Sequence, residues 1–267
     1  PRTLSLVLHG DLDVSTIPDR PPGRLPVRTA VRDEAARERV LAFLDEQAAQ
    51  GRQAYVVHPV IDESDEDVRD ATEGARRLAA ALPRRRVALV HGRLKPAERD
   101  EAMRAFAAGA IDVLVATTVI EVGIDVPNAS VMVIENAERF GLSQLHQLRG
   151  RVGRGAHEAW CVLMRGPAPT AEGGERLDLL ASTEDGFVLA EADLRQRGAG
   201  QLFGSRQIGS RDLRIADPLR DKDLLLAMRA EAEAWLAGLP ASALARDPLL
   251  QSIAARWHAA ADRSAVG

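Results

Sequence analysis

Residues 111–136 read IDVLVATTVIEVGIDVPNASVMVIEN. Two apolar runs of strand length, IDVLVAT and SVMVIEN, flank a segment that holds Gly123, Asp125 and Pro127. Runs this short, apolar at consecutive rather than alternate positions, indicate strands covered on both faces. A strand closed in that way belongs to a parallel sheet wrapped by helices.

The neighbouring sequence carries the same pattern outward. PVRTAV, QAYVVHPVI and RVALVHG are strand candidates upstream, and AWCVLM is one downstream. Between them, DEAARERVLAFLDEQAAQG places Ala36, Val40, Phe43 and Leu44 on helical spacing, with Gly51 as its stop. DVRDATEGARRLAAALP is helical up to Pro83, and LSQLHQLRG is helical. KPAERDEAMRAFAAG starts with Pro96 in its first turn and has Gly109 past its end. Alternation of this length predicts an α/β fold, a parallel sheet flanked by helices over residues 27–168, with ligands at the carboxyl ends of the strands. Upstream, IPDRPPGRLP packs four prolines into a stiff linker, so residues 1–26 are set apart. GPAPTAEGGER reads as a loop, and residues 169–267 read as a smaller, mainly helical region containing the glycine-rich stretch GAGQLFGSRQIGSRD.

Composition narrows the class. No apolar run approaches the ~20 residues a membrane span needs, and PRTLSLVLHGDLD has none of the parts of a signal peptide. The single cysteine, Cys161, forms no disulfide within the chain; together these predict a cytoplasmic protein without a membrane partner. Only Lys95 and Lys222 are lysines, so nearly all the positive charge is arginine on a chain of net charge −4. Base composition explains that bias in bulk but not the local spacing in QLHQLRGRVGRG, residues 144–155.

There Arg149, Arg151 and Arg154 fall within six positions beside Gly150 and Gly153. Arg151 and Arg154, three apart, lie on one side of a turn or helix start. Guanidinium forks match phosphate oxygens and keep their charge. The spacing leaves two readings open: two arginines on a transferring polyphosphate, or a surface cluster paired with Glu135 or Glu138. Upstream, Thr117 and Thr118 end a buried strand, where hydroxyls can meet a nucleic-acid phosphate or merely cap a helix. Gly123 and Asp125 can admit a nucleotide and offer a carboxylate to its ribose.

VATTVIEVGIDVPNAS followed by QLHQLRGRVGRG resembles motifs V and VI of superfamily 2 helicases, in the order found in their second RecA-like lobe. The pattern Q-x-x-G-R-x-x-R is matched by Gln147, Gly150, Arg151 and Arg154. The resemblance implies that both arginines reach the γ-phosphate of an ATP, with its Mg²⁺, held mainly on the opposite lobe. It implies that Gly123 and Asp125 lie near the nucleotide and that Thr117 touches the nucleic-acid backbone. ALVHGRLKPAERDEAM resembles the segment of that lobe in which His91, Gly92 and Arg93 lie near DNA. FVLAEADLRQRGAGQLFGSRQIG resembles the translocation motif shared by the RecG family and the transcription-repair coupling factors. Arg195, Arg197, Gly198, Gly200, Gly204 and Gln207 match it, whereas Ile208 stands where the family has Ser or Thr. The tail favours the RecG family. The implied partners are branched double-stranded DNA, an upstream motor lobe and wedge domain of the same protein, and, as a further candidate, a single-strand-binding protein.

One required part is not in the sequence. Neither Lys95 nor Lys222 sits in a G-x-x-x-x-G-K-[ST] loop. Asp62 and Glu63 imitate a Mg²⁺-binding box, but no P-loop precedes them, and Asp62 to Asp67 read as a solvated acidic loop. Asp33 and Glu34 read as first-turn helix residues. The chain is therefore expected to be the C-terminal part of a helicase: a remnant of the preceding lobe and linker over 1–26, the second lobe over 27–168, and the translocation motif with the C-terminal helices over 169–267. It should be inactive as an ATPase alone. The six histidines show no ligand-like pairing, so no metal site is expected; His146 is read either as orienting its neighbours or as a plain surface residue. Cys161, Trp160, Trp235 and Trp257 read as packing. Any DNA-binding footprint must be local, drawn from Arg93, Arg195, Arg197, Arg206 and Arg211. Three rival readings remain: a coupling factor, a non-catalytic RecA-like binding module, and a small-molecule enzyme on a doubly wound sheet.

Overall fold

The computed structural model describes residues 25–59, 65–117, 125–197, 221–240 and 246–255. The six strands are β1 (Val27–Arg32), β2 (Gln53–His58), β3 (Val87–Val90), β4 (Val113–Thr117), β5 (Ala129–Ile134) and β6 (Ala159–Met164). They form one sheet in the order β1-β6-β5-β2-β4-β3, and every pairing is parallel. The two runs that opened the sequence reading are β4 and β5. Both are buried at all positions because each lies inside the sheet, and they sit on either side of β2.

The helices follow from the connections. α1 (Arg37–Ala49) and α2 (Asp65–Ala81) link strands that advance toward one edge of the sheet, whereas α3 (Pro96–Ala107) and α4 (Leu142–Arg149) link strands that return. Right-handed crossovers then place the first pair on one face and the second pair on the other. Packing agrees. Val40 and Leu44 of α1, Leu78 of α2 and Leu82 just past its end pack in one core with Val56, Val113, Val115, Val131 and Val133. On the opposite face Phe106 of α3 meets Tyr55 with ring centroids 4.8 Å apart. Pro96 is the first residue of α3, and Glu98 accepts from the Lys95 amide at 3.2 Å. Gly109, just past that helix, has φ +74, where a side chain would be strained.

One segment departs from the sequence reading. GPAPTAEGGER holds the start of a helix, α5 (Ala171–Ser182), capped by the Thr170 hydroxyl accepting from the Gly173 amide at 3.0 Å. Gly173 looks like a loop residue but serves packing: a Cβ there would come within 2.9 Å of the Glu138 Cβ, whereas Gly174 faces open space. Because α5 buries Leu177 and Leu180 and packs on β1, the unit that carries the sheet extends to Leu189, beyond the boundary expected at residue 168.

The second compact unit takes up the chain from Ala190, within α6 (Gly186–Arg197). Its described part holds the rest of α6, α7 (Lys222–Ala237) and a helical segment over 248–255. Trp235 does not pack as expected: it stands 45% exposed on α7, in line with the exposed Leu224 and Met228. Trp160 does pack, edge-on to Phe43 at 5.2 Å, while Trp257 lies outside the described residues.

Cys161 is fully buried in β6, and burial pushes its thiol up to about 12. A thiol reagent should therefore label this lone cysteine only as the chain unfolds. The labelling midpoint in denaturant is expected to coincide with loss of the circular dichroism signal. Labelling in buffer at the rate of a free thiol would mean that the sheet is not closed. His58, at the end of β2, lies under Gly74 of α2, where a Cβ would come within 2.6 Å of the imidazole Cε1. Burial lowers the His58 pKa, against the opposing pull of Glu135. The unfolded chain then takes the proton more readily, so this stability is present above the ordinary value of 6.5 and is lost as pH falls through it. The urea midpoint should drop between about pH 7.5 and 5.5, and His58→Gln should flatten the slope.

Candidate functional site

A parallel sheet has a carboxyl edge, where strands end, and an amino edge, where they begin. The residues singled out by sequence divide between the two. β3 ends at Val90 and pairs with β4 through Val90 and Ala116, so His91, Gly92 and Arg93 fall beside Thr117 at the carboxyl edge. Gly92 and Arg93 are exposed and His91 is half-buried. Thr117 is only 1% exposed, so its hydroxyl is enclosed behind the surface that its strand end supports. Thr118 and Gly123 lie outside the described residues.

The arginines sit at the other edge. The general expectation of carboxyl-end ligands fails for them because α4 begins after β5 and runs back across the sheet to lead into β6. Its last turn, and the turn over 150–155, therefore close on the starts of β1 and β6. Gly153 has φ +73, and a Cβ there would press on Val27 and Ala159 at 3.1 and 3.2 Å. Gly155 abuts the carbonyl of Pro127 with no room for a side chain. Gly150 differs: its φ is −69, and an added Cβ would meet only ordinary contacts. The fold demands glycine at 153 and 155 but not at 150, where the bare backbone lines a cavity.

That cavity has a volume of about 440 Å³. Gly150, Arg151 and Arg154 line it from the arginine turn, His146, Gln147 and Arg149 from α4, and Glu184 from the link between α5 and α6. Glu184 accepts from the Val27 amide at 2.8 Å, which fixes its carboxylate beside the guanidiniums. Nothing in the sequence announced it, since it stands 30 positions beyond Arg154 and only the packing of α5 brings it near. Arg154 donates to the Gly150 carbonyl at 3.1 Å and pairs with Asp125 at 3.4 Å. A carboxylate does pair with the cluster, but it is Asp125 rather than Glu135 or Glu138. Glu135 is bonded by both terminal nitrogens of Arg37, and Glu138 takes the Gly166 amide at 3.0 Å.

The three clustered arginines are not equivalent. Arg149 is 4% exposed and donates to the carbonyls of Leu180 and Thr183 at 2.7 and 2.8 Å. Its Nη2 lies 3.1 Å from His146 Nδ1, so His146 orients its neighbours rather than standing alone on the surface. Arg149 is a structural bolt between α4 and the end of α5, while Arg151 is half-buried and Arg154 exposed at the cavity.

In the second unit, Arg195 is exposed and donates to Glu191 one helical turn back at 2.8 Å. Arg197 is the last residue of α6. Gly198, Gly200, Gly204, Arg206, Gln207, Ile208 and Arg211 lie outside the described residues, as do Asp62 and Glu63. Among the described residues no three His, Cys, Asp or Glu side chains could hold a metal ion, and no helix is long and apolar enough to cross a membrane.

A six-stranded parallel lobe with the motif VI turn at its amino edge belongs to the class of RecA-like helicase lobes of superfamily 2. Residues 35–156 match the helicase conserved C-terminal domain, and residues 183–252 match the C-terminal part of domain 3 of the ATP-dependent DNA helicase RecG. The chain is 46% identical over 258 residues to the ATP-dependent DNA helicase RecG of Acidithiobacillus ferridurans, covering 96% of this chain and 37% of that protein. With the Escherichia coli K12 protein of the same name it shares 48% identity over 227 residues, 84% of this chain and 33% of that one. A solved structure of RecG bound to a three-way DNA junction superposes with a TM-score of 0.66 at 45% identity, over 84% of this chain and 29% of that one. The chain belongs to the RecG helicase family, and it spans about a third of the length of the relatives it matches.

The contrast between the arginines can be measured. Arg149→Met should destabilise the protein by roughly 2–4 kcal/mol, because two carbonyls of the α5 end lose their donor. Arg154→Ala removes only an exposed ion pair and should cost less than about 1 kcal/mol. Equal losses in a denaturant titration would contradict the division of roles.

Proposed function

We propose that this chain is the second motor lobe and translocation region of an ATP-dependent enzyme that moves along double-stranded DNA and remodels branched junctions. The observation that carries the reading is the shared cavity of Arg151 and Arg154 at the amino edge, remote from the DNA-facing positions at the carboxyl edge. Two forked cations beside a bare Gly150 suit a polyphosphate whose charge shifts during transfer. Gln147 lies within the same cavity to orient that group. Asp125, in the turn entering β5, stands on the same side through its ion pair with Arg154.

On the opposite edge, Gly92 and Arg93 offer an amide and a guanidinium to a DNA phosphate, with His91 and Thr117 shaping the strand ends behind them. The sheet-bearing unit, carried on through α5 to Leu189, would form the motor lobe. Arg195, Arg197, Gly198, Gly200, Gly204 and Gln207 would form the element that passes its movement to the duplex. ATP supplies the free energy by loss of its γ-phosphate. The described residues do not suit Mg²⁺, since no carboxylate cluster is present, so the ion and the P-loop contacts are assigned to a partner lobe of the kind found in the longer relatives. Branched DNA is the proposed substrate because a relative of this fold has been solved on a three-way junction.

The test is ATP turnover by the chain, with and without forked DNA. No turnover is expected from the chain alone. Supplying the upstream lobe should restore DNA-stimulated turnover, and Arg154→Ala should abolish it again. Turnover by the isolated chain would overturn the assignment, and Asp62 and Glu63 would then be the first residues to substitute.

A further inference from the structure

We infer that Asp125 is a positioning residue for Arg154 rather than a ligand of the nucleotide ribose. The inference rests on the proposed phosphate role of Arg154. Asp125 precedes β5 in a turn fixed on both sides: Val126 is 2% exposed and its carbonyl accepts from Ala129 at 3.0 Å, and Pro127 lies against Gly155. The turn that carries the carboxylate and the turn that carries the arginine are thus packed directly on one another. Across this contact Asp125 Oδ1 lies 3.4 Å from Arg154 Nη1, and the Gly150 carbonyl holds Arg154 Nε at 3.1 Å. These two contacts hold two of the five N–H donors of a guanidinium and leave three for phosphate oxygens.

A long arginine side chain at an exposed position samples many rotamers. A carboxylate on one nitrogen and a carbonyl on another restrict that sampling before the nucleotide arrives, so less freedom is lost when the phosphate binds. The pair is solvated, with the Arg154 side chain 35% and the Asp125 side chain 58% exposed, so the 3.4 Å bond is weak enough to shift when a more highly charged phosphate enters. Asp125 therefore acts through Arg154 on the transfer step, and its removal should lower kcat and leave the KM for ATP unchanged.

The experiment is a double-mutant cycle on DNA-stimulated ATP turnover by the two-lobe protein, using Asp125→Asn, Arg154→Ala and the pair. Asp125→Asn is expected to lower kcat on the order of 10-fold and Arg154→Ala on the order of 10³-fold. The double variant should be no slower than Arg154→Ala alone, because the carboxylate has nothing left to position. The loss caused by Asp125→Asn should be the same with ATP and with 2′,3′-dideoxy-ATP. Multiplying effects, or a loss that vanishes with the dideoxy nucleotide, would return Asp125 to the ribose and overturn the inference while leaving Arg154 on the phosphate. Undiminished turnover by Arg154→Ala would instead overturn the phosphate reading itself, and the role of Asp125 would fall with it.

Discussion

The parallel sheet is the constraint from which the placement of every functional residue follows. A strand that is to pair in parallel with its predecessor must start from the same edge, so each connection has to carry the chain back across the whole layer. The segment after β4 therefore begins at the carboxyl edge with Thr117 and ends at the amino edge with Asp125. α4 makes the same journey and delivers the arginine turn to that amino edge. Two chemistries that lie close together in sequence are thereby separated by the length of a strand. A movement of the whole lobe is then the natural link between what happens at one edge and what happens at the other.

Most of this organisation was legible in the sequence because it rests on periodicity. β4 and β5 were readable as consecutive apolar residues, and α3 as Pro96 at one end and Gly109 at the other. The start of α5 was hidden because Gly173 obeys a different requirement from the local one. Its missing side chain answers Glu138, 35 positions earlier in the chain. Glu184 was hidden for the same reason. A carboxylate whose meaning depends on the Val27 amide has no signature within its own neighbourhood. The edge occupied by the arginines was also misjudged, since a rule about strand ends says nothing about helices that return from them.

The arginine cluster shows where spacing misleads and structure decides. By pattern, Arg149, Arg151 and Arg154 are one basic patch. All three border the cavity, but Arg149 is 4% exposed and donates to two carbonyls at the end of α5, whereas Arg151 is half-buried and Arg154 exposed. A buried guanidinium is costly to desolvate, and it is retained here because the carbonyls it bonds would otherwise be unsatisfied. Its charge also explains why α4 can end where it does: the last turn of the helix is tied to α5 by a side chain rather than by apolar contact alone.

That division of labour bears on how the site could work. A residue that is to meet a phosphate only at one stage of a cycle must be held near its working position without being locked there. Arg149 supplies the rigidity: it borders the cavity, but it is 4% exposed and its guanidinium is held by the carbonyls of Leu180 and Thr183. Gly153 and Gly155 supply the shape, by allowing a left-handed turn and a close approach to Pro127. Arg154 is left with two weak contacts on an exposed rim. Stability and responsiveness are thus assigned to different side chains within six residues, so substitutions that disturb one can be separated experimentally from those that disturb the other. A lysine would not reproduce either arginine: at Arg149 one terminal nitrogen serves both carbonyls while the other meets His146, and at Arg154 two different nitrogens meet the Gly150 carbonyl and Asp125, arrangements that a single ammonium nitrogen does not span.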